Sequence, residues 1–310
     1  MHLSIVTTLY RSGAHLEAFY REMTRQAEML TADYELVLVN DGSPDQSLEL
    51  AVTLHRRDGR VRVIDLSRNF GHHRAIMTGL AHARGDLVFL IYCDLEEDPG
   101  LLGRFHEELK RCGADVVYGV QDRRKGGFGE RVAGWMFFAI FNLLSPVPIP
   151  ANLTTVRLMT RRYVRGLLAH RERETSIAGL WALTGFEQIP LPIRKGSRPG
   201  SSYSFARKLT LLLNAVTSFS DRPLVVIFGL GLVVSLAAGA AALYLISRRL
   251  FFGVYLAGWP SVIVSVWLLG GLTLLCLGVI GIYLSRVFIE TKQRPYTIIR
   301  EIYDRPDGEQ

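Results

Sequence analysis

The residues with the most chemistry in this chain stand together in Val88-Phe-Leu-Ile-Tyr-Cys-Asp-Leu-Glu-Glu-Asp-Pro99. An apolar run that stops in four acids within five positions reads as a buried strand delivering carboxylates to the edge of a sheet, and Pro99 ends the ladder. At the carboxyl end of a parallel strand, ligands bind in the crevice where the chain leaves the sheet. Asp94 and Glu96, two positions apart, can turn towards one hard cation, Mg2+ or Mn2+. A divalent ion held by only one or two carboxylates takes further oxygens from substrate phosphates. The same pattern is compatible with a solvated acidic turn, so the elements around it decide between the two.

Those elements must fit within 310 residues of which 49% are apolar, enough for one α/β domain of ordinary size plus membrane-embedded material. The formal net charge of +7 suits nucleic acid, anionic lipid or phosphorylated substrates. Three cysteines, Cys93, Cys112 and Cys276, lack metal-ligand spacing, which argues against a disulfide framework or a zinc site and for a reducing cytosolic face. The N-terminus enters a strand pattern without a basic region and apolar core ahead of it, so no cleaved signal peptide is expected.

In chain order, Leu3–Leu9 reads as a strand, followed by a turn at Arg11-Ser12-Gly13. An amphipathic helix over His15–Leu30 follows, carrying Leu16, Phe19, Met23 and Ala27. Tyr34–Asn40 is a second strand running into Asp41-Gly-Ser-Pro-Asp45, a turn with a carboxylate at a strand end. Helix Asp45–His55, strand Val61–Leu66, helix His73–Ala83, the acidic strand, helix Gly100–Arg111 and strand Asp115–Gly119 complete a β-α alternation. Such alternation implies a mostly parallel sheet with right-handed crossovers.

Strand-end Asn40-Asp41-Gly42-Ser43, then Ser67-Arg68-Asn69-Phe70-Gly71, then the acidic strand end, then Val117-Tyr118-Gly119 resemble the GT-A family 2 glycosyltransferases. More narrowly, they resemble polyprenyl-phosphate glycosyltransferases of the dolichyl-phosphate mannose synthase and bacterial GtrB type. The resemblance covers nearly the whole chain. It implies a Rossmann-like GT-A domain that moves a hexose, with inversion, from a nucleotide-diphosphate sugar to a polyprenyl phosphate, with a divalent metal on the diphosphate. Thr8, Tyr10, Asp41, Arg68 and Asp94 then fall to the nucleotide sugar, and Asp94 with Glu96 to the metal. Arg124, Arg157 and Ser201 fall to the acceptor phosphate, and Asp94, Arg124, Arg157 and Lys195 form the catalytic set.

This chain departs from the family pattern at several of these positions. Tyr92 replaces the first acid of Asp-x-Asp, and Glu96 stands where a glutamine is common. Thr8, Tyr10, Arg11 and Ser12 stand in place of Pro-x-Tyr-Asn-Glu, and Gln121 in place of a frequent arginine. A phosphate nucleophile is already anionic at neutral pH, so positioning and charge neutralisation matter more than a general base. Guanidinium forks match phosphate geometry, which favours Arg124 and Arg157 for the grip.

The remaining sequence points to lipid. Arg131–Leu144 is rich in aromatic and aliphatic residues and too short to span, fitting either a helix at the bilayer interface or a buried core helix. Ile193–Tyr203 is a basic Gly/Ser loop that suits either closure over phosphates or a flexible connection. Phe205–Ser220 is a basic amphipathic pattern suited to an anionic membrane surface. Leu224–Ile246 and Ser261–Leu284 carry no charge and are each long enough to cross a ~30 Å hydrocarbon core. Glycines in both permit close helix packing and hence a homo-oligomer. Arg207, Lys208 and Arg222 before the pair, with Arg286, Lys292, Arg294 and Arg300 after it, outnumber Arg248 and Arg249 between. The positive-inside rule then puts both ends in the cytoplasm, as a multi-pass protein of the inner (plasma) membrane. The expected organisation is a catalytic domain over 1–202, a juxtamembrane helix over 203–222, a two-helix anchor over 223–285 and a tail over 286–310.

Lipid and phosphate account for the basic balance, and nucleic acid is not an expected partner. Three rival readings differ in what they require. A processive polysaccharide synthase would need a Gln-x-x-Arg-Trp motif and more spans, neither of which is present. A transferase acting on a soluble acceptor would need a base, for which Glu97 or Asp98 stand nearby. A non-catalytic binding subunit would show no metal-dependent turnover of nucleotide sugar.

Overall fold

The structure is a computed structural model in which residues 1–121, 152–170, 177–193, 222–252 and 258–304 are described. The interface segment 131–144, the loop after Ile193 and the amphipathic stretch 205–220 lie outside the described residues, as do Arg124, Lys195 and Ser201.

The described residues fall into two units. One comprises 1–121, 152–170, 177–193 and 294–304, and the other 222–252 and 258–293. In the first, an eight-stranded sheet runs β7-β5-β6-β4-β1-β2-β3-β8. Its strands are β1 (Leu3–Leu9), β2 (Tyr34–Asn40), β3 (Val61–Leu66), β4 (Leu87–Leu90), β5 (Val116–Gln121), β6 (Leu153–Thr160), β7 (Gln188–Ile193) and β8 (Ile299–Tyr303). The pairs β1–β2, β1–β4, β2–β3 and β5–β7 are parallel, while β4–β6, β5–β6 and β3–β8 are antiparallel. The β-α alternation builds the parallel centre as expected, and antiparallel strands close both flanks.

Helices α1 (Gly13–Glu28), α2 (Ser47–Arg57) and α4 (Leu101–Cys112) cover one face, packing on Ile5, Leu36, Leu38, Val63 and Phe89. On α1 the buried residues are Leu16, Phe19, Met23 and Ala27, the stripe read from the sequence. Helices α3 (His72–His82), α5 (Arg161–Ala169) and α6 (Ile177–Leu183) cover the other face, over Val6, Val37, Val39, Ile64 and Leu90. Burial on both faces is why β1 to β3 read as nearly continuous apolar runs rather than alternating ones.

The tail joins the catalytic unit, with residues 294–304 in the same compact unit as the sheet. Strand β8 pairs with β3, Val63 opposite Tyr303 and Leu66 opposite Ile299. Asp304 completes the seal, reaching Arg84 at 2.8 Å and the buried Arg62 at 3.0 Å.

The second unit contains α7 (Arg222–Phe252) and α8 (Trp259–Thr291). Both are long and apolar enough to cross a membrane, over Leu224–Ala241 and Ser265–Thr291. Many of their large side chains are exposed within the protein, Phe228, Trp267 and Leu274 by more than 70%, which is unfavourable in water and favourable in lipid. Helix α8, at 33 residues, continues past the expected end of the second span.

Candidate active site

The order β3-β2-β1-β4 places a switch point between β1 and β4, where successive crossovers lead to opposite sides of β1. In open α/β sheets, ligands bind at such a point, outside the carboxyl ends of the strands. Four strand-end segments surround it: Thr8–Gly13 after β1, Asp41–Ser47 after β2, Ser67–Gly71 after β3 and Tyr92–Asp98 after β4.

The first two are fastened by one carboxylate. Asp45 accepts from the Ser43 and Ser47 hydroxyls at 2.5 and 2.6 Å and from the Gly13 N–H at 3.1 Å, while Arg11 N–H donates to Ser43 Oγ at 2.7 Å. Desolvation pushes the Asp45 carboxyl up, but these donors overcome it and hold its pKa at about 2. Since the folded value lies below the ordinary 3.8, the stabilisation is present above about pH 4 and is lost as pH falls towards 2. Asp45→Asn is expected to lower the thermal midpoint at pH 7 and to flatten its decline between pH 4 and pH 2. Scans of the purified protein across that range test this, and an unchanged acid limb would exclude the clasp.

The second and third segments are joined by Asp41. Its buried carboxylate accepts from Phe70 N–H at 2.7 Å and Gly71 N–H at 3.1 Å, fixing the turn that starts α3. Burial raises its pKa, and the two backbone donors recover only part of that. Arg68, exposed beside this turn, lies over the Phe70 ring at 4.2 Å. Thr8 is half-buried at the end of β1, and Tyr10 is exposed on the rim with Arg11 against its ring. The residues assigned to the nucleotide sugar are thus brought to one end of the sheet, with Asp41 bracing the rim from inside.

At the fourth segment the structure differs in detail from the expected strand. Strand β4 ends at Leu90, and the acids stand on turns beyond it. Asp94 Oδ1 accepts from Glu96 N–H at 3.1 Å, and Leu95 between them has a φ of 57°, rare for a leucine. Asp94 and Glu96 are half-exposed on this turn, while Leu95 packs on the core and Glu97 is buried. A strained residue held by packing between two carboxylates is the kind of outlier that marks a functional site. Tyr92 occupies the position of the missing acid, its hydroxyl accepting from Thr155 Oγ1 at 2.8 Å and its ring 6.3 Å from that of His72. The rings of His72 and His73 lie 4.0 Å apart, tilted by 59°, and burial pushes His73 down to about 4, so its ring is neutral at physiological pH.

Arg157 is placed differently from its neighbours. It lies opposite Leu90 and Tyr118 in the sheet and is fully buried, with its guanidinium over the Trp181 ring. It donates to the Thr155 and Thr154 carbonyls at 3.2 and 3.4 Å. Burial lowers its pKa to about 9. The expected grip on a phosphate would require this cover to move. As placed, Arg157 fixes the β6 segment carrying Thr155 and so acts on Tyr92. Arg157→Lys would leave a buried ammonium without the stacking or the double carbonyl contact, at a cost of about 1–3 kcal/mol. Thermal unfolding in detergent measures this, and an unchanged midpoint would show that these contacts do not hold the guanidinium.

Sequence reasoning missed the Tyr92–Thr155 link, the histidine pair and the contribution of the tail. Only the tail had a signal, the alternation in Ile298-Ile-Arg-Glu-Ile-Tyr303.

A parallel centre with this switch point, an acidic turn after β4 and antiparallel closing strands define a GT-A fold, here joined to two helices of membrane-crossing length. Residues 4–168 match the model for Glycosyl transferase family 2, and the chain belongs to that family. It is 54% identical over 98% of its length to a protein of Mycobacterium tuberculosis (strain CDC 1551 / Oshkosh) described as among putative glycosyltransferases, covering 89% of that chain. It is 31% identical to the bactoprenol glucosyl transferase of Shigella phage SfV, over 97% of this chain and 98% of the other. The fold is shared with a mannosyltransferase from Pyrobaculum calidifontis solved with GDP-Man and Mn2+, at a TM-score of 0.50 and 14% identity over 70% of this chain and 63% of that one.

Proposed function

We propose that this protein transfers a hexose from a nucleoside-diphosphate sugar to a polyprenyl phosphate at the cytoplasmic face of the plasma membrane. One observation carries this: the likeness to a bactoprenol glucosyl transferase extends across both membrane-length helices as well as the sheet. A shared catalytic domain alone would not distinguish a lipid acceptor from a soluble one.

In this reaction an oxygen of the lipid phosphate forms a bond to the anomeric carbon. The bond from that carbon to the donor diphosphate breaks, its electron pair leaves with the nucleoside diphosphate, and the configuration inverts. No proton needs to be removed from the nucleophile. Thr8, Tyr10, Asp41 and Arg68 form or brace the nucleotide side of the crevice, and Arg124, Lys195 and Ser201 are assigned to the phosphates.

Asp94 and Glu96 fit a divalent ion, because both are hard oxygen donors on one tight turn. Among the described residues no group of three or more His, Cys, Asp or Glu could hold one, so the donor's phosphates would complete its shell. When bound there, Mg2+ or Mn2+ neutralises charge on the leaving diphosphate.

Connectivity supports the topology. The catalytic sheet precedes the helix pair in the chain and receives β8 after it, so an even number of crossings returns the chain to one side. The basic flanks assign that side to the cytoplasm.

Membranes containing the protein, given undecaprenyl phosphate and a panel of labelled nucleotide sugars, test the reading. A mild-acid-labile glycolipid that disappears with chelator and returns with Mg2+ or Mn2+ is expected. Label passing only to polymer or to a soluble acceptor would overturn it.

A further inference from the structure

The tail after the second membrane-length helix makes contacts beyond those needed to extend a sheet. Arg300, on β8, donates from Nη1 to Asp65 Oδ2 at 3.2 Å and from Nη2 to the Ser67 carbonyl at 2.8 Å. Asp65 is 1% exposed, and its other oxygen accepts from Asn40 Nδ2 at 2.8 Å. Asn40 Oδ1 in turn accepts from Ser43 N–H at 3.3 Å. Ser67 N–H donates to the Ile298 carbonyl at 2.9 Å, and the Thr78 and Thr297 hydroxyls meet at 2.8 Å on the same side of α3.

These bonds reach both turns of the nucleotide rim. Through Asp65 and Asn40 the tail braces the turn that carries Asp41, and through Ser67 it braces the turn that carries Arg68. We propose that Arg300 is a positioning residue for the nucleoside-diphosphate sugar, so that the segment following the membrane helices completes the donor site. This rests on the proposed transfer reaction for the identity of the ligand.

Asp65 is the pivot. A buried carboxylate needs compensating donors, and Arg300 supplies the charged one. Without the guanidinium, Asp65 loses its charged partner and turns towards other donors, so that the Asn40 amide and the Ser67 carbonyl lose their fixed positions. The loss falls on donor binding, because Arg300 is tied to the turns after β2 and β3 and not to the acidic turn after β4.

The test uses full-length protein in detergent, titrated with nucleoside-diphosphate sugars and assayed with lipid phosphate. Arg300→Ala is expected to raise the donor KM and Kd about 10-fold, the scale of one charge-assisted hydrogen bond. Turnover at saturating donor and the KM for lipid phosphate are expected to stay within about 2-fold. Arg300→Lys, which keeps the charge and one contact, is expected to recover part of the donor affinity and separates positioning from a failure to fold. A lower thermal midpoint with an unchanged donor KM in either variant would reduce Arg300 to a structural strut and overturn the proposal. Equal losses in donor and acceptor KM would do the same. Failure of the wild-type protein to bind any nucleoside-diphosphate sugar would instead remove the transfer reading, and this role with it.

Discussion

Asp94→Asn is expected to reduce the proposed metal-dependent transfer at least about 100-fold, the scale on which removal of one group that stabilises transition-state charge is felt. The substitution keeps the side chain's size and its Oδ1, so the turn through Glu96 N–H and Leu95 can persist. What disappears is a negative charge on the turn after β4, on which the proposed affinity for a hard cation depends. Insertion into membranes and the thermal midpoint are expected to match wild type, since Asp94 is half-exposed and outside the packed core. Activity titrated with Mg2+ and Mn2+ provides the check. Wild-type rates at ordinary metal concentrations would take Asp94 out of the site.

Gly42→Ala is expected to weaken donor binding strongly, chiefly by backbone overlap. Gly42 has a φ of 60°, and a Cβ built there would sit 2.4 Å from Asn69 N and 2.5 Å from the Arg68 carbonyl carbon. Both are backbone atoms, so no rotamer change relieves the overlap. The turn after β2 must separate from the turn after β3, breaking the bonds from Phe70 and Gly71 N–H to Asp41. A left-handed alanine adds about 1–2 kcal/mol of its own. A rise of more than about 10-fold in donor Kd, with a lower thermal midpoint, is the expected result. Normal affinity for nucleoside-diphosphate sugar would show that these two turns do not frame the donor.

Both predictions concern residues that local sequence made visible. Asp94 ends an apolar run and Gly42 follows a strand-end aspartate, so each carries its signal within a few positions. The same holds for the helical stripe of α1 and for the apolar lengths of α7 and α8. Arg157 and Arg300 behave otherwise. Arg157 read as a phosphate ligand because arginine favours phosphate, yet its surroundings come from Trp181 on α6 and Tyr118 on β5. Arg300 read as one positive charge beside a membrane segment, yet it meets a carboxylate 235 residues earlier in the chain. Neither environment is encoded near the residue that experiences it.

By itself the sequence determined the alternation of strands and helices, the acidic turn, the glycine turn and two stretches long and apolar enough to cross a membrane. These depend on periodicity and on residues within one turn of each other. Tertiary structure alone decided that the tail joins the sheet beside β3, that Arg157 faces inward and that Asp41 is occupied by the backbone of a neighbouring turn. The physical reason is that a side chain's chemistry is set by its desolvation and its partners, which belong to the packed sheet and not to the neighbouring sequence.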